Sequence, residues 1–233
     1  MRVAVALLAL AVAAGAGCGG GSSDTGAAKR TINADSQRRA KSMLLRLSDF
    51  PEGWRASAPD PVDKGGQANL RKCVGVDFFP QNVTGKATSP DFATGQTTDA
   101  SSGATIVGSP AQAQDSFEQA AAVMSGSKVR DCVTKLFQGL FQGSADYRVG
   151  EVEVAELRIT APENVEKAMG WQFAVLLVVT SGASKGSPVI AYIDLVTLLN
   201  NDALALVSTL DSPTPFDPML RDQLVKTVAA RMT

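Results

Sequence analysis

The chain has 233 residues, with 22 basic and 23 acidic side chains, no histidine, three cysteines and 6% aromatic residues. Without a basic surplus it has no electrostatic grip on nucleic acid or on an anionic bilayer surface. Without an imidazole it has no Ser-His or Cys-His nucleophile pair and no imidazole metal ligand, which leaves carboxylate or Ser-Lys chemistry as the enzymatic routes open to it.

The first seventeen residues read as a secretory signal peptide. Arg2 supplies a positive start, Val3 to Ala16 is an unbroken run of small and apolar residues, and Gly15-Ala16-Gly17-Cys18 follows at once. Fourteen residues rise only about 21 Å as a helix, short of a bilayer core of about 30 Å, so the run predicts a cleaved signal rather than a permanent span. Small residues before a cysteine resemble a bacterial lipobox, whose cysteine thiol receives a diacylglycerol; Gly15 departs from that pattern, where a leucine is usual. The resemblance implies lipidation at Cys18 and anchoring by acyl chains such as palmitate, each buried methylene contributing about 0.8 kcal/mol. Cleavage after Ala16 is the alternative, which would release a secreted protein carrying a spare thiol.

Gly19 to Ala28 is a Gly/Ser/Ala stretch with one aspartate, so residues 18–34 are expected to form the lipidated cysteine and a flexible tether, and residues 35–233 the globular domain. With Cys18 assigned to lipid, Cys73 and Cys132 remain as an even pair in an oxidising compartment, where a disulfide is expected and two buried thiols are the competing reading. Closing a loop of about 60 residues should stabilise the fold by roughly 4 kcal/mol in the chain-entropy account. Removing the signal takes away Arg2 alone and leaves 21 basic and 23 acidic residues, a net charge of −2.

From Asp35, the residues Ala40, Met43, Leu44 and Leu47 fall at helical spacing and predict an amphipathic first helix. Asp49-Phe50-Pro51-Glu52-Gly53-Trp54 stops it, because Pro51 cannot continue a helix, and Phe50 and Trp54 are expected to plug the core at this corner. Residues 56–69 are polar and punctuated by prolines and glycines, predicting an exposed loop, after which Leu70 to Cys73 should form a helical turn. Phe92 and Ala104 to Val107 are strand candidates around a Gly/Ser turn. Phe117, Ala120, Ala121 and Met124 line one helix that stops at Ser125-Gly126. Val129, Cys132, Val133, Leu136 and Leu140 line a second, which would pin Cys132 to the Cys73 segment.

Past Gly143 the pattern changes to strands. Val152 and Val154 alternate with glutamates, and Leu157 and Ile159 resume one step out of phase, which predicts a bulge near Ala155 and Glu156. Trp171 to Thr180 and Val189 to Leu199 are nearly all apolar and read as central strands covered on both faces. With Ala203 to Leu210 they predict an antiparallel meander. Asp217-Pro218 marks a last helix with an apolar stripe of Leu220, Leu224, Val225, Val228 and Met232. The expected fold is a single α+β domain, a mostly antiparallel sheet packed by helices and stapled by one disulfide.

The corner Leu47-Ser48-Asp49-Phe50-Pro51-Glu52-Gly53-Trp54, the cysteine at 73, and the Phe117 helix leading to a second cysteine resemble small actinobacterial lipoproteins and the extracellular sensor domains of mycobacterial receptor kinases. PsbP-like lipoproteins are similar as well. The resemblance implies a compact sheet-and-helix module with a cleft. The sensor domains have two disulfides, whereas this chain can form one.

Few residues are candidates for chemistry. Ser127-Lys128 and Ser184-Lys185 are adjacent pairs whose side chains diverge, and they read as turn residues. Glu151, Glu153 and Glu156 are the one carboxylate cluster, a pattern that a half-solvated strand shows by default. No cofactor, metal site or catalytic residue is expected, and no ligand-binding residue is identified. The expected function is a non-enzymatic ligand-binding or sensing module on the outer face of the cell membrane, its partners being the membrane and a small apolar ligand. The alternatives are a lipid carrier and an accessory lipoprotein docked on an envelope protein complex. In the exported protein, Cys18→Ala is expected to abolish incorporation of labelled palmitate; a variant that still takes up the label would place the acyl group elsewhere.

Overall fold

The computed structural model describes residues 32–58, 64–75, 80–140 and 144–233. The signal segment, Cys18 and the tether before residue 32 lie outside the described residues. In chain order the elements are α1 (Ala34–Ser42), a 3₁₀ turn (Leu47–Asp49), β1 (Arg55–Ser57), α2 (Lys64–Val74), β2 (Val83–Thr88), β3 (Asp91–Thr94) and β4 (Thr98–Val107). They continue as α3 (Pro110–Met124), α4 (Val129–Leu140), β5 (Tyr147–Leu157), β6 (Lys167–Val179), β7 (Pro188–Asn200), β8 (Ala203–Asp211) and α5 (Pro218–Ala230).

All eight strands join one antiparallel sheet. The meander expected after residue 143 is its larger part, β5-β6-β7-β8, and β8 continues onto β4. The far side of β4 is shared, with β2 paired along Gly103–Val107 and β3 along Thr98–Ala100, and β1 flanks β3. Strand β8 is buried residue after residue, and β7 is buried over most of its length. Such strands need cover on both sides, and the helices supply it. On one face α1, α5 and the Phe50/Trp54 corner pack over Ile106, Val196, Leu198, Ala205 and Val207. On the other, α2 and α4 pack over Phe173, Val175, Ile193, Leu195 and Leu206, and α3 over Leu199 and Leu204. The disulfide joins Cys73 of α2 to Cys132 of α4, with a Cα–Cα distance of 5.6 Å across a sequence separation of 59.

Local chemistry accounts for the helix starts. Asp217 caps α5, its carboxylate accepting the Met219 N–H at 2.9 Å ahead of Pro218, and Asn33 caps α1 by accepting the Ser36 N–H at 2.8 Å. Phe50 packs against both Trp54 and Phe92 at 4.6 Å between ring centroids, so the corner plugs the core as expected.

Several elements differ from the sequence reading. Helix α1 ends at Ser42, and Leu47 sits in the separate 3₁₀ turn, 46% exposed. The segment read as a loop over 56–69 contains the end of β1 and the first half of α2, whose helix extends well before Leu70; residues 59–63 lie outside the described residues. Ser101, Ser102 and Gly103 are inside β4, and the turn lies earlier, between Thr94 and Thr98. The break in β5 register falls between Val149 and Val152, and pairing runs unbroken from Val152 to Leu157. The phase change at Leu157 therefore reflects its packing on the opposite face, against Gly170, where Ile159 also packs. Strand β6 alternates between buried and half-buried positions, since it stands one strand from the edge and only one of its faces is fully covered. Strand β2 had no legible signal; it is held by α1, with Gln37 Nε2 donating to the Lys86 carbonyl at 2.6 Å and Gln37 Oε1 accepting the Lys86 N–H at 3.0 Å. Helix α1 can lie this close because Gly85 has no Cβ; one built there would fall 2.3 Å from the Ser36 carbonyl carbon.

Two ion pairs sit in or near the core. Under α5, Arg221 Nη1 meets Asp194 Oδ2 at 3.0 Å, and Gln172 Nε2 donates to Asp194 Oδ1 at 2.9 Å; Asp194 is 1% and Arg221 8% exposed. Beyond α5, Arg231 holds Asp49 through two hydrogen bonds of 2.7 and 2.8 Å and also donates to the Leu44 carbonyl. Burial by itself would raise the Asp49 carboxyl. The Arg231 hydrogen bonds, the Arg46 amide and the charges of both guanidinium groups outweigh it and hold the carboxyl below its ordinary value.

Removing one partner of the pair under α5 leaves a charge stranded in the core. Arg221→Met is expected to cost about 3–5 kcal/mol in urea denaturation, whereas Arg221→Met with Asp194→Leu should recover most of that. Equal losses in single and double variants would mean that α5 packing, not the charge, dominates. The Asp49 shift gives a pH signature. A carboxyl depressed in the folded state contributes stability that is present above its unfolded pKa of about 3.9 and is lost as pH falls through the folded value. The stability gap between wild type and Asp49→Asn should therefore hold steady from pH 7 to about pH 5 and shrink as pH falls below about 4. Urea midpoints across that range check this, and a gap that stays constant into acid contradicts it.

Candidate functional site

The residues singled out from sequence do not converge. Cys73 and Cys132 are consumed by the disulfide. Glu151, Glu153 and Glu156 are all exposed along β5, the strand at one end of the sheet. Ser127, Lys128, Ser184 and Lys185 are exposed residues of two turns. Among the described residues no group of three His, Cys, Asp or Glu side chains could hold a metal ion, and no helix is long and apolar enough to cross a membrane.

A different place stands out once the layers are assembled. Helix α3 starts firmly: Ser109 accepts the Gln112 N–H at its N-cap, Pro110 occupies the first turn, and Ala113 and Phe117 are buried on Val83, Val107, Leu199 and Leu204. Past Phe117 its sequence becomes Glu-Gln-Ala-Ala-Ala-Val-Met, and the next inward position is Ala120. Between this half of the helix and the sheet lies a cleft with about 80 Å³ of free volume, and Ala120 and Gly103 of β4 are the smallest residues in its lining, together with Ala87, Ala104 and Ala205. Leu204 and Leu206 of β8, Leu195 and Thr197 of β7 and Met169 and Trp171 of β6 form its floor. Ser116, Phe117, Ala120 and Met124 of α3 form its roof, and Pro80, Lys86 and Ala87 close the β2 end.

The lining is mostly apolar; Thr105, Ser116 and Thr197 bring hydroxyls, and Lys86 and Trp171 stand at its two ends. Lys86 brings a buried ammonium group at the β2 end, and the Trp171 indole Nε1–H at the β6 end is buried with no hydrogen-bond acceptor. Buried indole N–H groups ordinarily find a partner, so this one is a donor with unused capacity. Glu118 on the outer side of α3 accepts from Lys167 Nζ at 2.8 Å and from Gln114 Nε2 at 3.0 Å, tying the helix to β6. Those hydrogen bonds, Lys167 foremost, hold the exposed Glu118 carboxyl below its ordinary value.

Beyond Trp171 and Met124 the cleft adjoins an outer groove of about 520 Å³ around the α3–α4 junction, lined by both of these residues and by Ser125, Ser127, Arg130, Asp131 and Glu156. The arrangement suits retention of an apolar group with a polar end. Sequence reasoning placed Ala120 and Met124 on the packed face of a helix and Trp171 in a fully covered strand. The run Ala120-Ala121-Ala122 was the available signal, and it is meaningful only beside the other residues that line the cleft.

No family model matches the chain, and no curated protein matches it. Among solved structures it is similar to the extracellular domain of PknH from Mycobacterium tuberculosis, at 8% identity and a TM-score of 0.38, over 86% of this chain and 99% of that one. The resemblance to such domains read from the sequence is thus met by a diffuse structural likeness, at a level that carries no residue, ligand or activity from one protein to the other.

Proposed function

We propose that this chain is a non-enzymatic binding module, anchored through Cys18 on the outer face of the cell membrane, that holds a small aliphatic group in the cleft beneath α3. The observation carrying this reading is the mostly apolar cleft itself, lined by Ala120 and Gly103 and floored by Leu195, Leu204, Leu206 and Met169. Each methylene moved from water into such a site gains about 0.8 kcal/mol, so even a short chain binds measurably. The sequence has no histidine, and among the described residues Lys86 is the one charged side chain lining the cleft, which supports binding over catalysis. The free volume, about 80 Å³, is below the roughly 300–1,000 Å³ of sites that enclose drug-sized ligands, which favours a sensor of chain ends or small ligands over a carrier that swallows whole lipids.

Native mass spectrometry of the exported protein tests this. Under gentle conditions a reproducible added mass is expected that leaves on denaturation and is missing from Ala120→Phe, whose ring would fill the cleft. A bare mass in both proteins would overturn the reading and turn attention to docking on an envelope protein complex.

A further inference from the structure

The cleft and the outer groove share two residues, Trp171 and Met124, and differ sharply in character. The inner compartment is mostly apolar, with Thr105, Ser116, Thr197 and Lys86 among its lining residues. The outer one has the hydroxyls of Ser125 and Ser127, one cation in Arg130 and two carboxylates in Asp131 and Glu156. At the boundary stands the Trp171 indole, its buried N–H unsatisfied. A purely apolar occupant would leave that donor orphaned and the groove empty. An amphiphile satisfies both, with its chain under α3, a carbonyl or ether oxygen accepting from Trp171, and its head among the groove side chains.

The charges of the groove then select the head. One positive and two negative side chains leave a formal surplus of −1, which disfavours an anionic head, and alternating donors and acceptors favour hydroxyls. The buried ammonium of Lys86 is no counterweight, because β4, β8 and β7 separate β2 from β6, about 19 Å at the spacing between strands. We infer that the ligand is an uncharged, hydroxyl-bearing single-chain amphiphile of the monoacylglycerol or alkyl glycoside class, bound with its head at the α3–α4 junction and an oxygen on Trp171 Nε1. This rests on the cleft being a binding site, as proposed above, and adds the class and direction of its occupant.

The test uses the exported chain carrying Cys18→Ser, so that no acyl group is attached. Ligand-observed NMR titrations at pH 7 compare 1-monobutanoylglycerol with butanoate, short chains suited to a cleft of about 80 Å³. Monobutanoylglycerol is expected to bind at least tenfold more tightly than butanoate. Trp171→Phe, which removes the N–H, should weaken monobutanoylglycerol about fivefold to tenfold, with its urea midpoint checking that the fold is intact. Glu156→Gln should narrow the gap by improving butanoate. Butanoate binding equally or better would overturn the inference, with the cleft still a binding site. Indifference of monobutanoylglycerol to Trp171→Phe would remove the head from the α3–α4 junction. No binding to a folded protein, or binding that survives Ala120→Phe, would overturn both this inference and the cleft as the site.

Discussion

The rest of the structure follows from the burial of both faces of the β7–β8 hairpin. Its two strands pair from Asn200↔Ala203 to Tyr192↔Asp211, and alternate residues feed opposite cores. An antiparallel sheet can leave one face in water, but strands that are apolar on both faces at most positions, as these are, need cover on both sides. Two helical layers are therefore obligatory, and the order of elements in the chain supplies them from both ends, with α1 and α5 on one face and α2, α3 and α4 on the other.

On the α5 face, Leu224, Val225, Val228 and Met232 are buried, and the buried Asp194 is answered by Arg221 and Gln172. Such a pair adds little net stability but makes the seating of α5 specific, because any other register strands a charge. On the opposite face, α2 and α4 are bound to each other by the Cys73–Cys132 disulfide and pack closely on β5 and β6. Helix α3 depends on Ala113 and Phe117 and on an exposed tie from Glu118 to Lys167. Its second half lays Ala120, Val123 and Met124, all partly buried, against the neighbouring core, and the cleft lies beside them.

Much of the architecture was legible because its signals are local. The apolar runs of β6, β7 and β8, the Asp217-Pro218 start of α5 and the helical spacing around Phe117 and Cys132 each carry their own instruction. Short or borrowed elements were not legible. Strand β2 exists because α1 covers its edge and β4 pairs with it, and neither partner is visible from the sequence Val-Thr-Gly-Lys-Ala-Thr. The bulge was sought where the hydrophobic phase changes, at Ala155 and Glu156, but a phase change is also what a strand shows when its neighbour covers the other face, as at Gly170.

By itself the sequence determined the fold class, the expectation of an export signal with Cys18 beyond it, the pairing of Cys73 with Cys132 and the exclusion of histidine chemistry, since each depends on residue identity or on periodicity along one segment. The tertiary structure decided the candidate site. A cleft is a property of what faces what, and this one is lined from β2, α3, β4, β6, β7 and β8 together, which no single segment specifies. The same holds for the Trp171 donor: an indole in an apolar strand signals core, and only the packed layers leave its N–H buried without an acceptor beside an open groove.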